Sequence, residues 1–261
     1  MSLAPSHPPA APVSAAAAPV LEFRNVEKVF RNGFHAITPV SLSVQRGEIV
    51  SIVGPSGCGK TTVLRMAAGL TDVSRGELVS TAREQAYVFQ DPTLLPWRSV
   101  QSNAELVAKL KKMPKAQRRA AAADALETVG LSSVASSLPR QLSGGMKMRV
   151  SLARAITSSP DIMFLDEPFA ALDEFTRARM ADVLLDLWRG NDFSALFITH
   201  SIHEAVYLSH RVVVMAAHPG RIVRIIDSPS PPSADAARDT SALADLEAEI
   251  SGLLATAHKE A

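Results

Sequence analysis

Cysteine is almost absent: Cys58 is the only one, so no disulfide framework can staple this chain, and a reducing compartment fits it. Long apolar runs are missing too. No stretch reaches the length of about 18 apolar residues that a membrane-crossing helix needs. Neither sign of charge is in excess, since 27 Lys and Arg stand against 26 Asp and Glu, a formal net charge of +1. No global field therefore draws the chain to nucleic acid. The first 20 residues hold no Lys or Arg and are rich in Ala, Pro and Ser. Without a basic start they do not read as a signal peptide, and a disordered tail is expected there. No internal repeat is visible.

What remains, at 261 residues, is enough chain to bury a sizeable core as one domain, or one domain with a subdomain. LEFRNVEKVF and SLSVQ alternate apolar and polar residues, as half-buried strands do. EIVSIV is a short continuous apolar run suited to a central parallel strand. A helix follows it and stops at Gly69, and GELVS and AYVF read as further strands. From about residue 100 to 158 the periodicity turns helical; PKAQRRAAAADALETVGL opens at Pro114 and closes at Gly130. DIMFLDEP and SALFITH return to strands around the helical ARMADVLLDLW, then IHEAVYLSH follows, and RVVVMAAHPGRIVRIID reads as a hairpin turning at Pro-Gly. SPSPPSADAA is a linker by composition. Beyond it Leu243, Leu246, Ile250 and Leu253 stand at helical spacing, an amphipathic face expected to pack on this chain. The basic run Lys109, Lys111, Lys112, Lys115, Arg118 and Arg119 fits a solvated helix face or a face turned to anionic lipid.

The stretch GPSGCGKTT carries the first chemistry. Gly54, Gly59, Lys60 and Thr61 meet the pattern G-x-x-x-x-G-K-[ST] directly after the EIVSIV run. Glycine lets the backbone curl until successive N–H groups point inward as a nest for phosphate oxygens. Residues 54–62, namely Gly54, Pro55, Ser56, Gly57, Cys58, Gly59, Lys60, Thr61 and Thr62, are thus expected to hold a nucleoside triphosphate. Helix onset at Lys60 adds a dipole. Lys60 would reach the β- and γ-phosphates, and the Thr61 hydroxyl would ligate Mg²⁺. Cys58 has no basic partner in view and fills the loop.

Two further motifs bear on what the nucleotide is for. Asp166 and Glu167 end a buried strand, where an open parallel sheet binds ligands. An Asp there can hold Mg²⁺ through water, and the Glu can polarise an attacking water; the alternative is an acidic pair capping a helix before Pro168. LSGGM places Ser143, Gly144 and Gly145 at a helix start, a second anion site by the same backbone logic. A monomer has no evident need of two γ-phosphate sites, whereas two chains facing head to tail do.

From about residue 21 to 227 the chain resembles the ATP-binding subunit of an ABC transporter. Residues 54–62 match the Walker A loop, Gln90 in VFQD the Q-loop glutamine, and residues 142–145 the signature. Asp166 and Glu167 match the Walker B pair, Leu172 and Asp173 the D-loop, and His200 the switch histidine. The resemblance implies an α/β fold: a P-loop (RecA-like) nucleotide core, an antiparallel β subdomain and a helical signature subdomain over about 91–158. Outside this match stand the tail at 1–20, the linker at 228–240 and the last helix at 241–261, as composition and spacing place them. The resemblance also implies ATP and Mg²⁺ as ligands, with Thr61, Gln90 and Asp166 on the metal and Glu167, His200 and Gln90 in catalysis. Phe30 matches the aromatic that stacks on adenine, with an ordinary strand core residue as its alternative. Two copies would sandwich two ATP, each held by one chain's Walker A and the other's Ser143, Gly144 and Gly145. Permease subunits at the cytoplasmic face of the membrane and, indirectly, a solute-binding protein are the implied partners, with no nucleic acid.

Two positions depart from the pattern: Met146 stands where Gln usually ends the signature, and Ser201 where Asp often follows the histidine. FQDPTLLPWRSV, LSGGM and HPGRIVRIID together are similar to importers for nitrate, taurine and other sulfonates. A soluble ABC ATPase acting on nucleic acid is the main competing function. The short insertion between Thr62 and Leu142, without sustained heptads, fits it poorly. A P-loop kinase or GTPase would have no use for LSGG, and no guanine-reading N-K-x-D occurs. A metal pair made by His200 and His203 is a rival for the histidine, without an evident third ligand.

Overall fold

The short apolar runs form the centre of a sheet. In the computed structural model, which describes residues 18–229, 232 and 240–259, β3 (Ile49–Val53), β6 (Ile162–Asp166) and β7 (Ser194–Ile198) are buried along their whole length. Strands covered on both faces are apolar nearly throughout, and their buried Ser51 and Ser194 are hydrogen-bonded, to the Ser209 hydroxyl and the Gly47 N–H. They are flanked by β5 (Gln85–Val88) on one side and by β8 (Arg211–Ala216) and β9 (Arg221–Asp227) on the other. The order is β5-β6-β7-β3-β8-β9, parallel except for the β8–β9 hairpin. The expected hairpin is therefore present, turning at residues 217–220.

A second sheet of three antiparallel strands, in the order β2-β1-β4, lies beside the first; it comprises β1 (Leu21–Val29), β2 (His35–Val44) and β4 (Arg75–Ser80). The sequence pattern marks only the second half of β2, because Pro39 interrupts it. β2 is the edge strand of this sheet, meeting the other one only at a bridge from Ile37 to Gly220, so at Pro39 a residue without an N–H is tolerated.

Between β5 and β6 the chain is helical: α2 (Val100–Ala104), α3 (Leu106–Leu110), α4 (Lys115–Thr128) and α5 (Gly144–Ile156). α1 (Lys60–Ala67), α6 (Glu174–Arg189), α7 (Ile202–Leu208) and α8 (Thr240–Lys259) complete the fold. Helix ends follow local chemistry. After α1, Gly69 takes φ 67° while its N–H reaches the Met66 carbonyl and that of Leu70 the Arg65 carbonyl, at 3.0 and 2.8 Å. Gly130 closes α4 in the same way, and this double bond needs a left-handed residue. The α/β fold with its P-loop core, antiparallel subdomain and helical subdomain matches the sequence expectation.

Leu243, Leu246 and Ile250 of α8 are buried against Val53, Ala205, Val206, Val212 and Val214, so that face packs on its own chain. Residues 1–17 of the expected tail and most of the expected linker (230, 231 and 233–239) lie outside the described residues. The basic run is not uniformly solvated: Lys111 pairs with Glu84 and Arg118 with Glu105. Lys109, Lys115, Arg118 and Arg119 also line, with Arg98, a hollow of about 630 Å³. Among the described residues, no helix is long and apolar enough to cross a membrane.

Candidate nucleotide site

The loop at 54–59 leaves the carboxyl end of β3 and turns into α1. Two of its glycines have steric reasons. Gly59 precedes α1 at φ 92°, and a Cβ there would come within 2.2 Å of Ile37 Cδ1. A Cβ on Gly54 would strike the Met215 carbonyl oxygen at 2.6 Å and Cys58 Sγ at 2.7 Å. Cys58 is fully buried and packed in the core; burial is also what raises its thiol pKa, which keeps it an unreactive thiol. α1 has no side-chain cap and no acid in its first turn, so its leading N–H groups and dipole are left to an anion. Ser56, Gly57, Gly59, Lys60, Thr61, Thr62 and Glu167 line a cleft of about 280 Å³ over this turn. Pro55 lines a separate small hollow with Leu254 and Ala257 of α8.

Lys60 is buried, and its Nζ donates to the carbonyl oxygens of Gly54 (2.8 Å) and Pro55 (3.2 Å), 3.9 Å from Glu167 Oε1. The loop's own carbonyls thus hold the ammonium at the cleft. Asp166 ends β6, only 8% exposed. Its Oδ1 accepts from Thr61 Oγ1 at 3.1 Å and its Oδ2 from the Tyr87 hydroxyl at 2.8 Å. Burial and, secondly, this bond to Asp166 raise the phenol's pKa well above its ordinary value, so it stays a donor.

Glu167 takes φ 46°, a strained conformation for a non-glycine residue, and its N–H donates to the Ile198 carbonyl at 3.0 Å. The kink turns its carboxylate into the cleft, where Oε2 lies 3.2 Å from His200 Nδ1. Neither acid caps a helix. That task falls to Asp173, whose carboxylate accepts from the Thr176 N–H at 2.9 Å at the start of α6. His203 points elsewhere, its Nδ1 2.8 Å from Glu247 on α8, so the histidine metal pair does not form. Among the described residues no group of three His, Cys, Asp or Glu could hold a metal.

Ser201, in place of the frequent Asp, performs the cap such an Asp would supply: its hydroxyl accepts from the Glu204 N–H at 3.2 Å. Glu204 itself is buried. Its carboxylate accepts from Thr199 Oγ1 at 2.5 Å and lies 3.3 Å from Arg177 Nε, while Arg177 Nη2 donates to the Leu172 carbonyl at 3.1 Å. Burial raises the Glu204 carboxyl pKa, with Thr199 and then Arg177 pulling the other way. This pair ties the segment at Leu172 to the residue preceding His200.

The remaining sequence candidates stand apart from this cluster. Ser143 caps α5 through the Met146 N–H at 3.3 Å, and Gly145 lies so near α6 that a Cβ would meet Thr176 Cγ2 at 2.7 Å. None of Ser143, Gly144 and Gly145 lines the cleft at Lys60. Gln90 is exposed just past β5. Phe30 is exposed too, at 41%, and stacks on Phe34 with centroids 6.4 Å apart, so it is not a core residue. Phe34, which sequence reasoning passed over, shares a hollow with Gly57. Tyr87, Arg177 and Glu204 were also missed, for they belong to no spacing pattern and meet their partners only across the fold.

A family model described as ABC transporter matches residues 37–170. An aliphatic sulfonates import ATP-binding protein of Bacillus licheniformis is 40% identical over 225 residues, 82% of this chain and 87% of that protein. Another, from Pseudomonas syringae pv. tomato, is 43% identical over 202 residues, covering 77% and 84% of the two chains. Among solved structures, the dimeric post-hydrolysis state of an ATP-binding cassette bound to ADP and Pi superposes with a TM-score of 0.69 at 29% identity, over 79% of this chain and 98% of that one. A glycine-rich loop before a helix, a buried Asp, a Glu–His pair and a glycine-rich second helix start, on this two-sheet core and at this similarity, lead to one assignment: the chain belongs to the ABC transporter ATP-binding family.

Proposed function

We propose that this chain is the ATP-hydrolysing subunit of a membrane importer for an organic sulfonate, working at the cytoplasmic face against separate permease subunits and, through them, a solute-binding protein. The observation that carries the ATPase reading is the convergence on one cleft of Lys60, Thr61–Asp166 and Glu167–His200. The relatives named for aliphatic sulfonate import support the solute class. The cassette itself holds no site for the solute in this reading.

The backbone N–H groups of 56–62 would receive the phosphate oxygens, and Lys60 would exchange the Gly54 and Pro55 carbonyls for the β- and γ-phosphates. Glu167, turned into the cleft, is placed to accept a proton from the attacking water, and His200 holds that carboxylate in line. The Thr61 hydroxyl and the buried Asp166 carboxylate, adjacent hard-oxygen donors, fit Mg²⁺, which takes few protein ligands and keeps phosphate and water for the rest. When bound, Mg²⁺ would neutralise charge on the β- and γ-phosphates. Gln90, between exposed Phe89 and the exposed Trp97 beyond it, is proposed to link this site to the permease. Phe30 is proposed to stack on adenine, and Ser143, Gly144 and Gly145 to complete the other copy's site in a head-to-tail dimer.

Glu167→Gln tests the reading. It removes the base and spares the phosphate cradle, so ATP affinity should stay near wild type while steady-state hydrolysis falls about 10²-fold or more. Equal loss of affinity and turnover would place Glu167 in folding or ligation instead.

A further inference from the structure

We infer that Tyr87 is a positioning residue for the metal-side carboxylate: its hydroxyl anchors one oxygen of Asp166 so that the other stays turned toward Thr61 and the nucleotide. The inference rests on the ATPase reading above.

The two oxygens of Asp166 are divided between two elements. Oδ1 meets Thr61 on the phosphate loop at 3.1 Å, and Oδ2 meets Tyr87 on β5 at 2.8 Å. At 8% exposure Asp166 has little water to replace either partner. Strand register explains how Tyr87 reaches it. Tyr87 pairs with Phe164, and Phe164 and Asp166 share a face of β6, so a long side chain at 87 spans the diagonal. The ring is clamped, 4.4 Å from Phe89 and 6.4 Å from Phe164 between centroids, which sets where its oxygen lies. Packing needs only the ring. A phenylalanine would fill the same space; the hydroxyl donates to Asp166 and also faces the Arg65 guanidinium.

A carboxylate with one oxygen pinned loses less orientational freedom when the other is engaged, and partners that hold a ligating group in this way set metal affinity. Tyr87 therefore acts through Asp166, and its effect should appear in the response to Mg²⁺ and not in the phosphate nest itself.

The test uses the full chain with Tyr87→Phe, which deletes one oxygen. ATP binding is followed by calorimetry with a chelator present and then across a Mg²⁺ titration, well below the ligand-free melting temperature of each protein. The half-saturating Mg²⁺ concentration should rise about tenfold, with chelator-phase ATP affinity unchanged. An unchanged Mg²⁺ response would overturn the role of Tyr87, as would an equal fall in ATP affinity with and without metal, which marks damage to the pocket. Wild-type ATP binding that ignores Mg²⁺ overturns the inference, and wild-type protein that also fails to hydrolyse ATP with Mg²⁺ present overturns the ATPase reading. A wild type that responds, matched by Tyr87→Phe, sinks the inference alone.

Discussion

Arg177→Met should be destabilising in a pH-dependent way. Arg177 Nε lies 3.3 Å from Glu204 Oε1, and Glu204 is 5% exposed. Removing one member of a buried pair strands the other and costs about 3–5 kcal/mol. The Arg177 side chain keeps 29% of its surface, and screening there reduces the loss to about 2 kcal/mol. The hydrogen bond to the Leu172 carbonyl adds about 1 kcal/mol. For a chain of this size about 3 kcal/mol corresponds to a melting temperature lower by about 6–12 °C. The sign with pH follows from Glu204, whose folded pKa burial already raises. Without Arg177 it rises further. Below the unfolded carboxyl pKa the proton is bound in both states, and only the Leu172 bond and packing are lost. As pH climbs from the unfolded carboxyl pKa to the raised folded one, the native state holds a proton that the unfolded chain has released, so the deficit grows until the folded pKa is passed. Melting followed by circular dichroism should therefore show a larger gap from wild type at about pH 8 than at about pH 5. Arg177→Met/Glu204→Gln, lacking both charges, should recover part of the loss at the higher pH. A gap that does not change with pH, or a double variant no better than Arg177→Met, would refute a buried charge as the cause.

The head-to-tail arrangement predicts complementation between a Lys60→Ala chain and a Ser143→Arg chain, both in a Glu167→Gln background. Each alone should occlude no ATP, whereas confirmed heterodimers should hold roughly one, since both lesions fall in one of two symmetry-related sites; heterodimers that occlude none would defeat it. Stacking by Phe30 predicts that Phe30→Ala weakens ATP binding by about five- to 150-fold, the 1–3 kcal/mol of a base on an aromatic ring. Phe30→Tyr should stay near wild type, and equal affinities for the two variants would remove the stacking role.

Residues adjacent in the chain largely determine their own local structure. The turn at 54–59 is such a case, because the backbone takes a left-handed φ only where glycines permit, as Gly59 at φ 92° illustrates. Ser143 before α5 and Gly69 after α1 are equally local, one accepting from the Met146 N–H and the other taking the left-handed turn. The continuous apolar runs of β3, β6 and β7 likewise announce strands covered on both faces. What the chain order conceals is contact at long separation. Tyr87 meets Asp166 only because β5 pairs with β6, Arg177 meets Glu204 only because α6 and α7 pack together, and Pro39 hides half of a strand whose edge position makes it tolerable. Glu167 was legible as a carboxylate at a strand end. Its direction was not, since the φ of 46° that turns it toward His200 is held by the Ile198 carbonyl of the neighbouring strand. Sequence periodicity encodes which face of an element is apolar; which side chains then meet across those faces is decided by strand order and packing.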